Sequence, residues 1–78
     1  MLKADGFDKA IIGMACIWRE GSKVDVLVYN GNKMAAMLKK DGMTYDEAIE
    51  FIEFKAEGAY VGIETPIVVW PYFDEEQK

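Results

Sequence analysis

The sequence predicts a small α+β domain of order ββααβ, with two helices on one face of an antiparallel sheet. Three observations lead to this prediction. Two apolar segments, residues 10–18 and 24–29, are separated by a glycine-containing turn, as in a β-hairpin. A capping box of the S/T-x-x-E type begins at Thr44 and starts a helix with two distinct faces. A third apolar segment, residues 67–70, follows Pro66.

The hairpin is the first predicted unit. In residues 24–29 three valines alternate with other side chains, which is typical of a strand. Residues 10–18 form an uninterrupted apolar run in which Ile and Trp favour a strand, although Ala and Met are also compatible with a helix. Residues 19–23, which contain Gly21 and Ser22, form the predicted turn.

Two helices should follow the hairpin and lie side by side. Asn30 offers an N-cap for a helix over about residues 33–40. Asp41-Gly42 ends that helix, because glycine readily takes the left-handed conformation. The second helix should run over about residues 45–57. Its predicted core stripe comprises Tyr45, Ala48, Ile49, Ile52, Ala56 and Ala59.

The length and composition predict one domain that associates with itself. The chain has 78 residues, 51% of them hydrophobic, and we expect residues 1–9 to be a flexible lead-in and residues 71–78 a flexible tail. Two adjacent helices can cover only one face of a three-stranded sheet, so the other face should be apolar and bare. We therefore expect a homodimer or a higher homo-oligomer. The candidate interface consists of Leu27, Tyr29 and Trp70.

The net charge of −5 is distributed unevenly. Residues 1–40 hold seven basic side chains against four acidic ones, whereas residues 41–76 hold ten acidic side chains against Lys55 alone. Direct binding of nucleic acid needs a clustered basic surface, so this class of partner is disfavoured. The charge favours another protein with a basic surface as the partner.

The acidic side of the second helix is the candidate partner surface. Its glutamates recur at helical spacing opposite the core stripe, and an aromatic side chain lies among them. The surface comprises Glu47, Glu50, Glu53, Phe54 and Glu57. Phe54 either anchors a partner or contacts the chain's own Tyr72 or Phe73.

No pattern in the sequence predicts catalysis, a cofactor or a metal site. Histidine, the commonest general base and metal ligand, does not occur. Ser22 lies beside Lys23, but adjacency in a turn does not provide the desolvated pocket that a nucleophilic dyad needs. Cys16 is expected to be a buried, inert thiol. Carboxylates of the second helix would need ligands from other elements to hold a divalent cation, and this is the residual enzymatic option.

The sequence also predicts a location. Asp5 and Asp8 interrupt any basic and apolar leader of the signal-peptide type. The longest uncharged apolar run, residues 10–18, is too short to cross a bilayer. We expect no membrane contact and a cytoplasmic location.

A series of short motifs extends over residues 6–67. In chain order they are Gly6-Phe7-Asp8, Ala10-Ile11-Ile12-Gly13, Val26-Leu27-Val28-Tyr29, Asp41-Gly42-Met43, Glu47-Ala48, Glu53-Phe54, Gly58-Ala59-Tyr60-Val61-Gly62 and Thr65-Pro66-Ile67. They resemble a family of small proteins encoded by tailed phages, including phages of cyanobacteria, and by bacterial genomes. The resemblance implies a phage-like origin and a host-cell cytoplasmic location, and it carries no activity. Lys55 departs from the family pattern, which tends to have Asn after the Phe, and this argues against a polar side chain acting there.

The sequence therefore predicts a non-enzymatic accessory protein, phage-like in origin, that acts as a small oligomer by contact with an unidentified host protein. The alternative is a protein that binds or sequesters a small ligand, for example a nucleotide signal. Its pocket would lie at the oligomer interface, lined by Trp, Tyr and the backbone amides near Gly31 or residues 58–62.

Overall fold

The computed structural model describes residues 2–57 and 62–71, and only the backbone of residues 55–57. A 3₁₀ turn, Asp8–Ala10, precedes the hairpin strands β1 (Ile11–Arg19) and β2 (Ser22–Asn30). Helix α1 (Gly31–Lys40) and helix α2 (Tyr45–Phe51) follow, and α2 continues into a π-helical segment, Ile52–Glu57. The last element is β3 (Ile67–Val69). The predicted ββααβ order is confirmed.

The hairpin turn is tighter than expected. Arg19 is opposite Ser22, so only Glu20 and Gly21 connect the strands. Both connecting residues have positive φ, 50° and 81°, as in a type I′ turn. Ser22 and Lys23, which were expected in the turn, belong to β2. The twist of this turn type matches that of the strands, so both strands continue to the turn without a gap.

A β-bulge at Ile12 determines which side chains of β1 face the helices. Ile11 is opposite Tyr29 and Gly13 is opposite Val28, so β1 contains one extra residue. We call the side of the sheet that carries Tyr29 the helix face and the other side the outer face. The helix face carries Ile11, Met14, Cys16 and Trp18 of β1, and Lys23, Asp25, Leu27 and Tyr29 of β2. The outer face carries Ala15, Ile17, Arg19, Val24, Val26 and Val28.

The sheet is mixed, in the order β1-β2-β3. β1 and β2 are antiparallel, but β3 runs parallel to β2, with Val28 opposite Ile67. A wholly antiparallel sheet was expected, and the difference arises before β3. The Arg19 guanidinium donates hydrogen bonds to the carbonyl oxygens of Ile63 (3.2 Å) and Thr65 (2.8 Å). Because Arg19 lies at the turn end of the hairpin, the chain enters β3 from that end.

Side chains and glycine define the ends of α1. The Asn30 side chain accepts a hydrogen bond from the backbone N–H of Lys33 (3.2 Å), which confirms the predicted N-cap. α1 begins at Gly31, earlier than expected, because no loop separates it from β2. At the other end Gly42 has a φ of 109°. The N–H of Met43 donates to the Leu38 carbonyl (3.1 Å), as in a Schellman motif.

The capping box of α2 is formed as the sequence predicts. The N–H of Thr44 donates to Oε1 of Glu47 (2.9 Å), and the N–H of Glu47 donates to the Thr44 hydroxyl (3.2 Å). Ala48 and Ile52 of the predicted stripe are buried, and Ile49 packs against them. Tyr45, predicted to be in the core, is 54% exposed, because it lies at the first residue of the helix.

The core lies between the helices and the helix face of the sheet. Its buried members are Ala10, Tyr29, Met34, Ala35, Leu38, Ala48 and Ile52. The Tyr29 hydroxyl accepts a hydrogen bond from the N–H of Ala4 (2.8 Å). Residues 2–9, expected to be a flexible lead-in, thus contact the core through Ala4 and Phe7.

The assignment of Tyr29 to a bare sheet face was wrong. The helices pack on the face of Leu27 and Tyr29, whereas the opposite face was expected to receive them. The outer face has a partial cover, since Val26 has no exposed area and Thr65 is buried. Arg19 lies on this face and binds the carbonyls of residues 63 and 65, which holds that segment against the sheet.

Candidate protein-binding site

The acidic side of α2 is exposed as predicted. Glu47, Glu50 and Glu53 are exposed, and Phe54 is exposed over 77% of its area. Glu47 is also committed to the capping box through one carboxylate oxygen. The side chain of Glu57 lies outside the described residues, so its membership in this surface stays a prediction.

A groove beside Phe54 is lined by three apolar and two acidic side chains. It encloses about 590 Å³. Its lining comprises Met43, Glu47, Glu50, Phe51 and Phe54. We call it the Phe54 groove. Three large apolar side chains supply contact area, and two carboxylates set the sign of the charge beside them.

A second groove lies along the neighbouring side of α2 and encloses about 400 Å³. Its lining comprises Tyr45, Asp46, Ile49, Glu50, Glu53 and Trp70. We call it the Trp70 groove. Two aromatic side chains stand beside three carboxylates, and Glu50 lines both grooves. The grooves are therefore adjacent, and one elongated partner segment can reach both.

Close contact with α1 fixes Trp70 in the wall of its groove. A Cβ atom built on Gly31 would lie 2.6 Å from the Trp70 ring, so only glycine fits under the indole. The Asn32 side-chain amide donates to the carbonyl of Pro71 (3.3 Å), which ties the chain after β3 to α1. The sequence places Gly31 after the Asn30 cap and near the pocket of the small-ligand alternative, and does not predict its contact with Trp70. That contact depends on residues far apart in the chain, so no local signal reveals it.

The Tyr45 ring already contacts a cation. The Lys39 ammonium lies 5.8 Å from the centroid of the ring, within the range of a cation–π interaction. This contact joins the end of α1 to the start of α2. It also shows that the position of Tyr45 is electrostatically suited to a positive charge.

The predicted oligomer interface is divided by the structure. Tyr29 is buried inside the chain, so it has no area to offer a second copy. Leu27 is half-buried against the core, and Trp70 is half-buried in its groove wall. The apolar side chains exposed on the hairpin are instead Ile12, Met14 and Trp18, together with the Cys16 thiol. Met14, Cys16 and Trp18 share one face by strand alternation, and the bulge, for which the sequence contains no local signal, makes it the face of Ile11 and Tyr29.

Cys16 was expected to be buried and is exposed. The reason is that its strand is at the edge of the sheet and that the helices do not extend over it.

Within residues 2–57 and 62–71, no group of three or more metal-ligating side chains is placed to hold an ion. No helix in the same part of the chain is long and apolar enough to cross a membrane.

No protein-family model, curated protein or solved structure matches this chain. The function is therefore inferred from the surfaces described above.

Proposed function

We propose that the chain is a non-enzymatic accessory protein, phage-like in origin, that acts as a small oligomer and binds a basic segment of another protein. The observation that carries the proposal is the pair of grooves along α2. Each is lined by apolar or aromatic side chains together with carboxylates. A solvated acidic helix face would have the charges without the apolar lining.

The Trp70 groove supports the choice of a cationic side chain as one anchor of the partner. An Arg or Lys entering between Tyr45 and Trp70 would meet aromatic rings and the carboxylates of Glu50 and Glu53. A cation over an aromatic ring contributes about 0.5–2 kcal/mol, the larger value when both groups are desolvated. The planar guanidinium of Arg both stacks on rings and pairs with carboxylates, so Arg fits better than Lys.

The Phe54 groove supports an apolar side chain as the second anchor. Interfaces concentrate their binding free energy in a few aromatic or apolar anchors surrounded by polar groups. Met43, Phe51 and Phe54 offer such a site next to Glu47 and Glu50. A partner segment with an arginine and a large apolar side chain a few residues apart would fill both grooves.

The small-ligand alternative gains less support from the same geometry. Neither groove has a Lys or Arg in its described lining, and carboxylates line both, so the charge beside the grooves disfavours a nucleotide phosphate. Near Gly31 the Trp70 ring occupies the space that a ligand would need. Residues 58–61 lie outside the described residues, so that part of the alternative stays a prediction.

The proposal can be tested with the full chain and labelled peptides. The probes are peptides that combine Arg and Phe at several spacings, and their matched versions in which Glu replaces Arg. We expect the best Arg–Phe peptide to bind, the Glu version not to bind, and the affinity to fall as salt is raised. Fluorescence anisotropy measures all three.

Two variants with the same change of charge locate the site. Glu50→Lys places a cation where the grooves meet, and we expect it to weaken binding at least tenfold. Asp5→Lys makes the same change at an exposed position outside both grooves, and we expect less than a twofold effect. Phe54→Ala should weaken binding without changing its salt dependence. Equal affinities for the Glu50 and Asp5 variants would rule out the α2 surface.

A further inference from the structure

The outer edge of β1 is an unusual edge strand. β1 is at the end of the sheet order, so one side of its backbone has no neighbouring strand among the described residues. No charged side chain occurs in β1 before Arg19. Arg19 itself binds the carbonyls of residues 63 and 65 across the outer face. Natural edge strands usually carry charges or proline that prevent pairing with another chain, and residues 11–18 of β1 have neither.

The turn determines which backbone groups of β1 point outward. In a two-residue hairpin the pair that flanks the turn, here Arg19 and Ser22, is hydrogen-bonded. Hydrogen-bonded pairs alternate along the ladder, so the N–H and C=O groups of Met14, Cys16 and Trp18 point away from β2. The side chains of the same three residues are exposed on the helix face, Met14 over 62% and Trp18 over 69% of its area.

The geometry points to a homodimer in which two copies pair their β1 strands antiparallel along this edge. The inference rests on the part of the proposed function that makes the chain an oligomer, and it names the surface. Two mixed sheets of three strands would then join into one sheet of six. The same residues supply the outward-pointing backbone groups and the exposed apolar side chains. Pairing of the two β1 strands therefore forms backbone hydrogen bonds and covers apolar side chains in one contact.

The bulge at Ile12 selects the register of this pairing. A bulge bends the strand, so the regular part of the edge is residues 13–19. A two-fold axis at the centre of that segment places Cys16 opposite Cys16 of the second copy. Met14 of each copy is then opposite Trp18 of the other. All of these pairs are between residues whose backbone groups point outward, as an antiparallel ladder requires.

The size of the contact corresponds to a weak but specific dimer. Residues 13–19 extend over about 24 Å of strand. With the exposed side chains of both copies, such a contact buries on the order of 1,000 Å², near the lower limit for specific interfaces. The helices leave this part of the helix face open, so the paired side chains of two copies can contact one another above the sheet.

Cys16 provides a test that needs no substitution. Cysteines at a hydrogen-bonded antiparallel pair have Cα atoms about 5.5 Å apart, within the range that a disulfide bridges. With copper–phenanthroline as the oxidant, we expect the full chain to form a covalent dimer within minutes, at concentrations where native mass spectrometry shows the dimer. A Cys16→Ser, Lys23→Cys variant moves the thiol to β2 on the same face, and we expect it to cross-link at least tenfold more slowly.

Charge at the edge gives the second test. Met14→Lys and Trp18→Lys each place cations at the paired edge, and we expect the dissociation constant to rise at least 100-fold for both. Ala36→Lys adds the same charge at an exposed position of α1 and should leave the dimer unchanged. Circular dichroism establishes that each variant is folded.

The possible results separate this inference from the proposed function. A wild-type chain that stays monomeric at 100 µM would overturn the dimer, and peptide binding at α2 would stand or fall by its own measurement. A dimer that survives both Lys variants and does not cross-link through Cys16 would overturn the β1 interface alone. Dissociation by both variants together with rapid cross-linking supports the assignment.

Discussion

Both ends of the hairpin have large apolar side chains of β1 on the helix face of the sheet, and the two ends differ in what covers those side chains. At the end where β2 meets α1, Ile11 and Tyr29 pack under the helices. At the turn end, Met14 and Trp18 are exposed on the same face. The cause is the direct passage from Asn30 into α1, which keeps both helices over one end. Apolar residues in a strand are therefore not sufficient evidence of a core, because only the part of the strand that lies under the helices is buried.

The largest expected effect on stability comes from comparing a methionine of α1 that is buried in the core with a methionine of β1 that is exposed. Met34 has no exposed area, and Met14 is 62% exposed. We expect Met34→Ala to lower the free energy of unfolding by about 2–5 kcal/mol. Met14→Ala should change it by about 0.5 kcal/mol or less. Urea denaturation followed by tryptophan fluorescence at submicromolar concentration measures both without a contribution from association.

Comparable losses for the two methionines would mean that the turn end is covered in the monomer. Met14 would then not be exposed in the monomer, and the proposed interface along the edge of β1 would lose its basis.

A smaller effect tests what holds the turn end in place. Arg19 donates to two carbonyls before β3, and the guanidinium is half-buried. Arg19→Met keeps most of the apolar stem and removes both hydrogen bonds, so we expect a loss of about 1–2 kcal/mol in urea denaturation. Lys23→Met, an exposed position on the neighbouring strand, is the matched control and should be nearly neutral. An equally neutral Arg19 variant would mean that the segment before β3 is held by other contacts.

The smallest effect concerns a single hydrogen bond at the covered end. Tyr29→Phe removes the hydroxyl that accepts from the N–H of Ala4 and leaves the ring in the core. We expect a loss of about 0.5–1.5 kcal/mol, because a partly buried N–H is left without its protein partner. Tyr45→Phe removes the hydroxyl of a tyrosine that is 54% exposed and should cost less. Thermal denaturation of the two variants should show a larger loss of stability for Tyr29→Phe than for Tyr45→Phe.

Local features of this fold can be predicted from the sequence because neighbouring residues create them. The capping box at Thr44, the N-cap at Asn30 and the helix end at Gly42 each involve atoms only a few residues apart. The acidic side of α2 follows from helical period alone, and the exposure of Phe54 among its glutamates was anticipated in the same way.

Features that depend on distant residues could not be predicted. The chain enters β3 from the turn end of the hairpin, where Arg19 binds carbonyls more than forty positions away. The bulge at Ile12 reverses the alternation of β1, and it changed which hairpin residues are exposed. Of the three predicted interface residues, Tyr29 lies in the core because the helices pack on its face of the sheet. The Trp70 groove requires β3 and α2 to be adjacent, which residue patterns do not encode.

The bulge also has a consequence for the comparison of sequences. Ile12 is opposite no residue of β2, whereas its neighbours on either side are paired. The chain can therefore lose this one residue and keep every other pairing of the hairpin. A deletion within residues 13–19 would instead exchange the two faces of the strand and turn small side chains toward the helices. Alignments of chains with this fold should place a single-residue gap at position 12 and penalise one anywhere later in β1.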